Sequence, residues 1–369
     1  MEFLYENLIQ VTWQHLVMWI IGGVLIFLAI KKNMEPTLLL PLGFGTIMVN
    51  LPFSGAITQG SEHGALSVLF DAGIANELFP LILFIGIGAM IDFRPVLSNP
   101  KLMVFGAAAQ FGIFFTLCVA SMFFDINDAA SIGIIGAADG PTAIVVAQKL
   151  GSKYLGAIMV AAYSYMALVP IIQPPVIKLL TTKEERLIRM ENSTKPVSKI
   201  AVIIFPIVCT IVAGLIAPAS VSLIGFLMFG NLIKECGVLN SLSETAQNAL
   251  ANIVTIFLGI TIASQMEASK FLQPETLLIL GLGLFAFIFD TAGGVLFAKF
   301  LNLFLKKKVN PMIGAAGISA FPMSGRVVHR MGIEEDPTNF LLMNSIGVNV
   351  FGQIASVVAG GLILNFFMK

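Results

Sequence analysis

The sequence predicts an all-α polytopic membrane protein with two inverted repeats, each containing a broken or re-entrant helix, as in transporters of the elevator type. The 369 residues are 57% hydrophobic and only 11% charged, and the mean hydropathy is +0.92. These values exclude a soluble globular class. Two further observations support the prediction: one apolar segment carries a central carboxylate beside a Gly-Pro pair, and a short motif around that segment recurs later in the chain.

The first broken segment lies at 130–147, where Asp139 is followed by Gly140 and Pro141. Pro141 lacks an amide hydrogen and disfavours helical geometry in the residue before it, so a helix has to break here. An ionisable group at membrane depth is costly and indicates a functional site. The alternative is a tolerated kink with a protonated acid. Transporters build cation sites at mid-membrane from broken helices of this kind.

The internal repeat rests on the sequence Ile-Gly-Ala-Ala, which occurs at 135–138 and again at 313–316, 178 residues later. In each case two long apolar segments precede the motif and one rich in small and polar residues follows it. Twelve apolar segments are predicted to span or enter the membrane, the ones at 130–147 and 310–329 being broken. Four units follow: N-terminal helices at 1–70, a first repeat at 71–175, a cytoplasmic basic loop with linking helices at 176–245, and a second repeat at 246–369.

Several classes of function are excluded by what the chain lacks. The net charge is zero, so nothing indicates nucleic-acid binding. There is no phosphate-binding Gly-rich loop, no metal-binding His pair and no Cys or Ser nucleophile beside a base. The energy source is therefore an ion gradient, or a reaction of a cofactor brought by another subunit.

The second broken segment supplies further oxygen atoms. Asn310, Gly317, Ser319 and Ser324 offer side-chain oxygens or a close backbone approach. A hard monovalent cation prefers oxygen ligands, which this segment and Asp139 offer together. Small residues and hydroxyls also serve simple helix packing, and that reading remains open for each hydroxyl.

Other polar groups lie within apolar surroundings. Asn349 is halfway along the last span and is the best candidate for a second ligand arm. Tyr163 and Tyr165 place two phenols inside one span, where each serves either packing or proton transfer. Arg326, near the membrane boundary, either anchors the helix or attracts an anionic group. Asp290 is a second intramembrane acid that could cap a helix break.

Four stretches of the chain together resemble the β subunits of the sodium-pumping, biotin-dependent decarboxylases, whose complexes act on oxaloacetate, methylmalonyl-CoA, glutaconyl-CoA or malonate. The stretches are Gly136 to Thr142, Ala162 to Pro175, Asn310 to Ser319, and the span that contains Asn349. The Asp-Gly-Pro-Thr and Tyr-Ser-Tyr-Met-Ala-Leu-Val-Pro runs are not generic helix sequences. The resemblance covers nearly the whole chain.

This resemblance implies a carboxybiotin decarboxylase subunit that releases CO2, takes up a proton and exports Na+. It implies roles for individual residues: Asp139 as the central Na+/H+ carboxylate, Tyr165 in sodium or proton handling, Arg326 facing carboxybiotin, and a sodium site shaped by Asp139, Asn310, Gly314, Ser319 and Asn349.

It also implies partners, namely a biotin carrier protein, a carboxyltransferase α subunit and a small membrane γ or δ subunit, around a homotrimer of this chain in the inner membrane of a prokaryote. The alternative is a Na+- or H+-coupled secondary carboxylate transporter.

Overall fold

The computed structural model describes residues 9–59, 62–190 and 196–368 of the chain. Within those ranges the backbone forms twenty α-helices, a few 3-10 and π turns and one isolated β-bridge, with no β-strand. The first ten helices are α1 Trp13–Lys32, α2 Pro36–Val49, α3 Ala65–Gly73, α4 Leu78–Met90, α5 Arg94–Ser98, α6 Leu102–Ala108, α7 Phe111–Ala120, α8 Ile126–Gly133, α9 Gly140–Lys149 and α10 Leu155–Leu180. The remaining ten are α11 Lys183–Arg186, α12 Lys199–Ile216, α13 Val221–Glu235, α14 Asn240–Thr245, α15 Ala251–Ile262, α16 Ala268–Phe271, α17 Pro274–Leu301, α18 Met312–Ala315, α19 Met323–Glu335 and α20 Leu342–Phe367.

Seven helical segments of the described chain are long and apolar enough to cross a membrane. An eighth is possible if α3 and α4, bent by 65° at a short break, form one span. These seven segments correspond to seven of the twelve predicted ones. The other five are shorter or broken: α2, α4, α13 and the two segments that were predicted to be interrupted. A polytopic, all-helical membrane protein is confirmed.

Helix α12 shows how the molecule meets lipid. Its large apolar side chains point outward, with Ile200 69% and Leu215 79% exposed. A helix satisfies most of its backbone polar groups internally, so apolar side chains can face the hydrocarbon. Polar side chains such as Asp139, Asn349 and Gln353 are instead buried inside the helix bundle.

Helices from the two halves of the chain pack against each other. Helix α6, which precedes the first broken segment, packs on α20, which follows the second one. Helix α17, which precedes the second broken segment, packs on α10, which follows the first one. Two glutamines make hydrogen bonds between the halves. Gln173 of α10 donates to the carbonyl oxygen of Ala315 at 2.8 Å, and Gln353 of α20 donates to Asp139 at 2.8 Å.

The predicted break beside Asp139 is present. Helix α8 ends in a 3-10 turn at Ile134–Ala137, and Ala138 follows with a left-handed φ of 51°. This conformation is unfavourable for a residue with a Cβ and is found where the surrounding structure imposes it, often at functional sites. Helix α9 then starts at Gly140, and Pro141 occupies its first turn, where no amide hydrogen is needed.

The second broken segment meets the first one. After the single turn of α18 the chain runs without regular structure until α19 begins at Met323. Within this stretch the backbone nitrogen and the Oγ of Ser319 both donate to the carbonyl oxygen of Ala137, at 3.1 and 2.9 Å. The two interruptions therefore share hydrogen bonds two residues before Asp139.

The sequence did not predict a third interruption, between α6 and α7. Here Gln110 donates to the carbonyl oxygens of Gly106 at 3.0 Å and of Gly317 at 3.2 Å. The carboxylate of Asp290, from α17, accepts a hydrogen bond from the backbone nitrogen of Gly112 in the first turn of α7. The sequence suggested that Asp290 could cap a helix break, and it caps this one.

The basic loop that follows α10 folds back onto the end of α19. Arg186 pairs with Glu335 at 2.6 Å, and Arg189 pairs with Asp336 at 2.7 Å. This connection ties the end of α10 to the end of α19, the helix that begins within the second broken segment.

Candidate functional site

The site is centred on Asp139, which is 3% exposed and caps the start of α9. Its Oδ1 accepts from the backbone nitrogen of Thr142 at 3.3 Å, and its Oδ2 accepts from the Thr142 hydroxyl at 2.7 Å. The local sequence explains this geometry, because Asp is a preferred N-cap residue and the third residue of the new helix has a free N–H group. The start of α9 also presents a positive dipole end to the carboxylate.

Helix α20 provides two more hydrogen-bond donors. Gln353 Nε2 lies 2.8 Å from Asp139 Oδ2, and Ser356 Oγ lies 2.7 Å from the same oxygen. Oδ2 therefore accepts three side-chain hydrogen bonds, whereas Oδ1 accepts only one long bond from the backbone. Hydrogen bonds to a charged group are stronger than neutral ones, so these donors partly offset the cost of burying the ionised form of Asp139. The hydroxyl oxygens beside it also carry lone pairs for a cation.

Asn349 connects the site to the second broken segment. Its Nδ2 donates to the carbonyl oxygen of Ile318 at 2.7 Å and to Ser324 Oγ at 2.9 Å. Ser324 in turn donates to the carbonyl oxygens of Ala316 and Ile318, at 3.1 and 3.0 Å. Asn349 Oδ1 is buried and finds no hydrogen-bond partner in the described part of the chain, so an acceptor oxygen remains free one helical turn from Gln353.

Some of the predicted site residues come together and others do not. Asp139, Ser319 and Asn349 lie at the junction of the two broken segments, as the contacts above place them. Gly314 lies against Gly294 of α17: a Cβ on Gly314 would be 2.0 Å from the Gly294 carbonyl oxygen. Gly314 therefore allows the second broken segment to approach α17 closely.

Asn310 and Tyr165 make contacts of a different kind. Asn310 Nδ2 donates to the carbonyl oxygens of Arg186 and Ile188, at 2.8 and 2.9 Å, so it holds the basic loop. The Tyr165 hydroxyl donates to the carbonyl oxygen of Leu280 on α17. Among the residues that the structure describes, neither side chain shares a hydrogen bond with Asp139.

Arg326 is exposed on α19. Burial raises the pKa of Glu35, in the turn between α1 and α2, and the Arg326 charge partly opposes this rise. Arg326 thus lies within electrostatic reach of Glu35, at the edge of the bundle, with its guanidinium accessible. The predicted carboxybiotin contact of Arg326 remains a prediction.

Sequence reasoning missed the residues nearest to Asp139. Gln353 and Ser356 follow Asn349 at spacings of four and seven residues, so the three lie on one face of α20. That spacing was available in the sequence, although only packing reveals which face of an almost wholly apolar helix lines the site. Thr142 occupies the position where a side chain can reach back to an N-cap residue, which was a second usable signal.

The chemistry of this arrangement is that of a site for a proton or a hard monovalent cation. Its groups are one carboxylate, hydroxyls, amides and backbone carbonyls, and these are oxygen ligands of the kind hard cations take. No cluster of three or more His, Cys, Asp or Glu side chains occurs in 9–59, 62–190 or 196–368. The fold and the site define a multi-pass membrane protein built around a buried carboxylate at a helix break.

Comparison with known proteins makes this class specific. The family model described as "Na+-transporting oxaloacetate decarboxylase beta subunit" matches residues 14–367. The chain therefore belongs to this family of decarboxylase β subunits.

Similar proteins of known name cover almost the whole chain. The methylmalonyl-CoA decarboxylase subunit beta of Propionigenium modestum is 48% identical over 95% of this chain and 94% of its own length. The glutaconyl-CoA decarboxylase subunit beta of Acidaminococcus fermentans is 49% identical, over 97% and 95%. The probable oxaloacetate decarboxylase beta chain of Vibrio cholerae is 44% identical, over 98% and 97%. The predicted resemblance is confirmed.

Proposed function

We propose that this chain is the carboxybiotin decarboxylase subunit of a biotin-dependent, Na+-translocating decarboxylase complex. It couples the release of CO2 from carboxybiotin, with uptake of a proton, to the export of Na+. The family membership supports the reaction and the ion. The observation that carries the mechanism is the buried Asp139 at the junction of two broken segments, surrounded by Thr142, Gln353 and Ser356.

The chemistry requires a proton and a dry cavity. In carboxybiotin decarboxylation the C–N bond breaks, CO2 leaves, and the ureido nitrogen takes a proton. Removing water from around the carboxylate favours the loss of CO2. If Na+ and H+ compete for Asp139, then binding one ion releases the other. Two states with different access to Asp139 then link the proton consumed to the sodium exported.

Asp139 is the central carboxylate in this proposal, and Ser319 of the second broken segment and Asn349 of α20 complete the ion site. The free Oδ1 of Asn349 supports its role as a ligand. Asn310 and Gly314 shape the site indirectly, the first through the basic loop and the second through close packing on α17. Tyr165 handles sodium or protons. Arg326, which is exposed at the edge of the bundle, receives the carboxylate of carboxybiotin.

We further propose the inverted repeats and the four units at 1–70, 71–175, 176–245 and 246–369. The exchanged packing of α6 on α20 and of α17 on α10 supports two repeats related by a pseudo-two-fold axis. The paired contacts of Gln173 with Ala315 and of Gln353 with Asp139 support the same relation. Elevator-like movement of the part of the protein that contains both broken segments is the corresponding transport mode.

The proposed assembly contains a biotin carrier protein, a carboxyltransferase α subunit, a small membrane γ or δ subunit and three copies of this chain in the inner membrane of a prokaryote. The test uses the complex purified through a tag on this chain. Na+ uptake into inverted vesicles should require the decarboxylation substrate and should stop when avidin sequesters biotin. Asp139→Asn should abolish both uptake and Na+-dependent decarboxylation. Carboxylate transport by this chain alone, without a biotinylated partner, would instead identify a secondary transporter.

A further inference from the structure

The two tyrosines of α10 face different parts of the molecule. Tyr163 and Tyr165 are two residues apart, so their side chains point in directions about 200° apart around the helix axis. The Tyr165 hydroxyl has a hydrogen-bond partner, because it donates to the carbonyl oxygen of Leu280. Tyr163 points away from that contact.

Tyr163 is 1% exposed and is among the largest fully buried side chains. Its hydroxyl finds no hydrogen-bond partner anywhere in 9–59, 62–190 and 196–368. A buried hydroxyl without a partner is unfavourable, and such a group in a native protein calls for an explanation, such as an ion or water that occupies the free position.

The ring of Tyr163 lies against Gly140, the residue that follows Asp139. A Cβ on Gly140 would be 2.4 Å from both Cε2 and Cζ, and Cζ is the ring carbon that carries the hydroxyl. Only a glycine allows this approach. The end of the ring that carries the hydroxyl is therefore held against Gly140, the residue next to Asp139.

Asp139 has one oxygen left for a cation. Oδ2 accepts hydrogen bonds from Thr142, Gln353 and Ser356, whereas Oδ1 accepts a single long bond from a backbone nitrogen. A carboxylate oxygen with free lone pairs and a neutral phenol oxygen are both ligands of the kind that a hard cation takes.

We propose that Tyr163 Oη is a ligand of the Na+ ion that binds at Asp139. The family resemblance implies a part in sodium or proton handling for Tyr165 instead. This inference rests on the proposed function, because it assumes that Asp139 binds the transported Na+. The phenol offers a lone pair to the ion while remaining protonated. No protein group in the described residues bonds this hydroxyl, so its oxygen is available to a cation at Asp139.

The test is Tyr163→Phe in the complete complex, which removes one oxygen and keeps the ring that packs on Gly140. Two quantities are measured: the Na+ concentration for half-maximal decarboxylation, and the concentration that half-protects Asp139 from carbodiimide labelling. We expect both to rise by about tenfold, with the rate at saturating Na+ within about twofold of wild type.

A matched control is Thr261→Val. The Thr261 hydroxyl is also fully buried and unpartnered within the described chain, but it lies on α15. Its removal should leave both Na+ concentrations unchanged. If the Phe variant does not assemble, 4-fluorophenylalanine at position 163 fills the space of the hydroxyl without supplying an oxygen, so both concentrations should still rise.

Two results would overturn the assignment. One is an unchanged Na+ dependence in the Tyr163 variants. The other is a large fall in the rate at saturating Na+ without any change in the half-saturating concentration, which would give the hydroxyl a role in proton transfer. If wild-type Asp139 is labelled equally with and without Na+, the proposed function itself fails, and that outcome is distinguishable from both.

Discussion

Ser319 donates two hydrogen bonds, one from its backbone nitrogen and one from its Oγ, to the carbonyl oxygen of Ala137. These bonds join residues 182 positions apart and connect the two broken segments directly. Because Ala137 is separated from Asp139 only by the left-handed Ala138, any shift of the second segment pulls on the residue that carries the carboxylate. The two segments form one mechanical unit.

The Ser319 hydroxyl can be tested by itself. Ser319→Ala removes the Oγ bond and leaves the backbone bond, so we expect a loss of about 0.5–1.5 kcal/mol in the free energy of unfolding. The Na+ concentration for half-maximal decarboxylation should rise at the same time, because the position of Asp139 is less well fixed. Thermal unfolding and Na+ titration of the same preparation measure both. Ser98→Ala, which removes a hydroxyl bonded within its own helix, is the control, and an effect equal to that of Ser319→Ala would argue against a special role for the Ala137 contact.

Gln353 provides a second prediction. Gln353→Met keeps the length of the side chain but removes the donor to Asp139 Oδ2. A hydrogen bond to a charged group contributes about 1.5–3 kcal/mol. The Na+ concentration for half-maximal decarboxylation should therefore change by a factor of about ten or more. Gln173→Met is the matched control, because it removes a buried glutamine hydrogen bond of the same length, to the backbone carbonyl oxygen of Ala315. The control should reduce stability while affecting Na+ protection of Asp139 less; equal effects would contradict the assignment of Gln353 to the ion site.

Asn310 gives a third prediction, which separates loop docking from direct ion binding. Asn310 and Asn339 both donate to the carbonyl oxygens of Arg186 and Ile188. If Asn310 acts through this loop, then Asn310→Ala and Asn339→Ala should make the basic loop similarly sensitive to protease. Both variants should change the Na+ concentration for half-maximal decarboxylation by similar, small factors. A large Na+ effect confined to Asn310→Ala would instead make its side chain an ion ligand.

Asp290 gives a fourth prediction. Its carboxylate caps the start of α7 through Gly112, and its Oδ2 has no hydrogen-bond partner within the part of the chain that the structure describes. Asp290→Asn retains an acceptor for Gly112, whereas Asp290→Ala loses the cap at a cost of about 0.5–2 kcal/mol. We expect the Asn variant to keep nearly normal Na+ pumping and the Ala variant to unfold at a lower temperature. If the Asn variant is as impaired as Asp139→Asn, Asp290 carries charge in the transport cycle.

The fifth prediction concerns the pH dependence of stability at Asp336, which lies outside the membrane-spanning segments. The backbone N–H and hydroxyl of Thr338, together with Arg189, hold the pKa of Asp336 below its usual range. A carboxyl with a depressed pKa in the folded state contributes stability above its unfolded pKa, and this contribution is lost as the pH falls through the folded value. Asp336→Asn should therefore lower the Tm by a small, constant amount between about pH 5 and pH 8, and the difference should shrink only below about pH 4, as the pH falls through the depressed folded pKa. A difference that grows at low pH would contradict this sign.

The sequence was sufficient for the features that depend on local chemistry. The long apolar segments predicted the seven helices that could span the membrane, and the Asp139-Gly140-Pro141 run predicted a helix break beside a buried acid. Both follow from backbone geometry and the cost of burying polar groups, which act over a few residues.

Features that depend on contacts between distant segments were not predictable. Ala109 and Gln110 contain no helix breaker, yet the helix is interrupted there, because Asp290 of α17 takes the Gly112 N–H and Gln110 bonds to Gly317. Likewise, nothing local distinguishes Tyr163 from Tyr165. Only the packing of α10 places one beside Gly140 and directs the other towards Leu280.

The exchange of Gln173 and Gln353 between the halves has a consequence for how the protein can be divided. Asp139 comes from one half and its glutamine from the other, so a polypeptide cut between the halves yields two fragments that each hold an unfinished binding pocket. Sodium affinity would then appear only when both fragments are present together, and the strength with which they rejoin would depend on the ion they enclose.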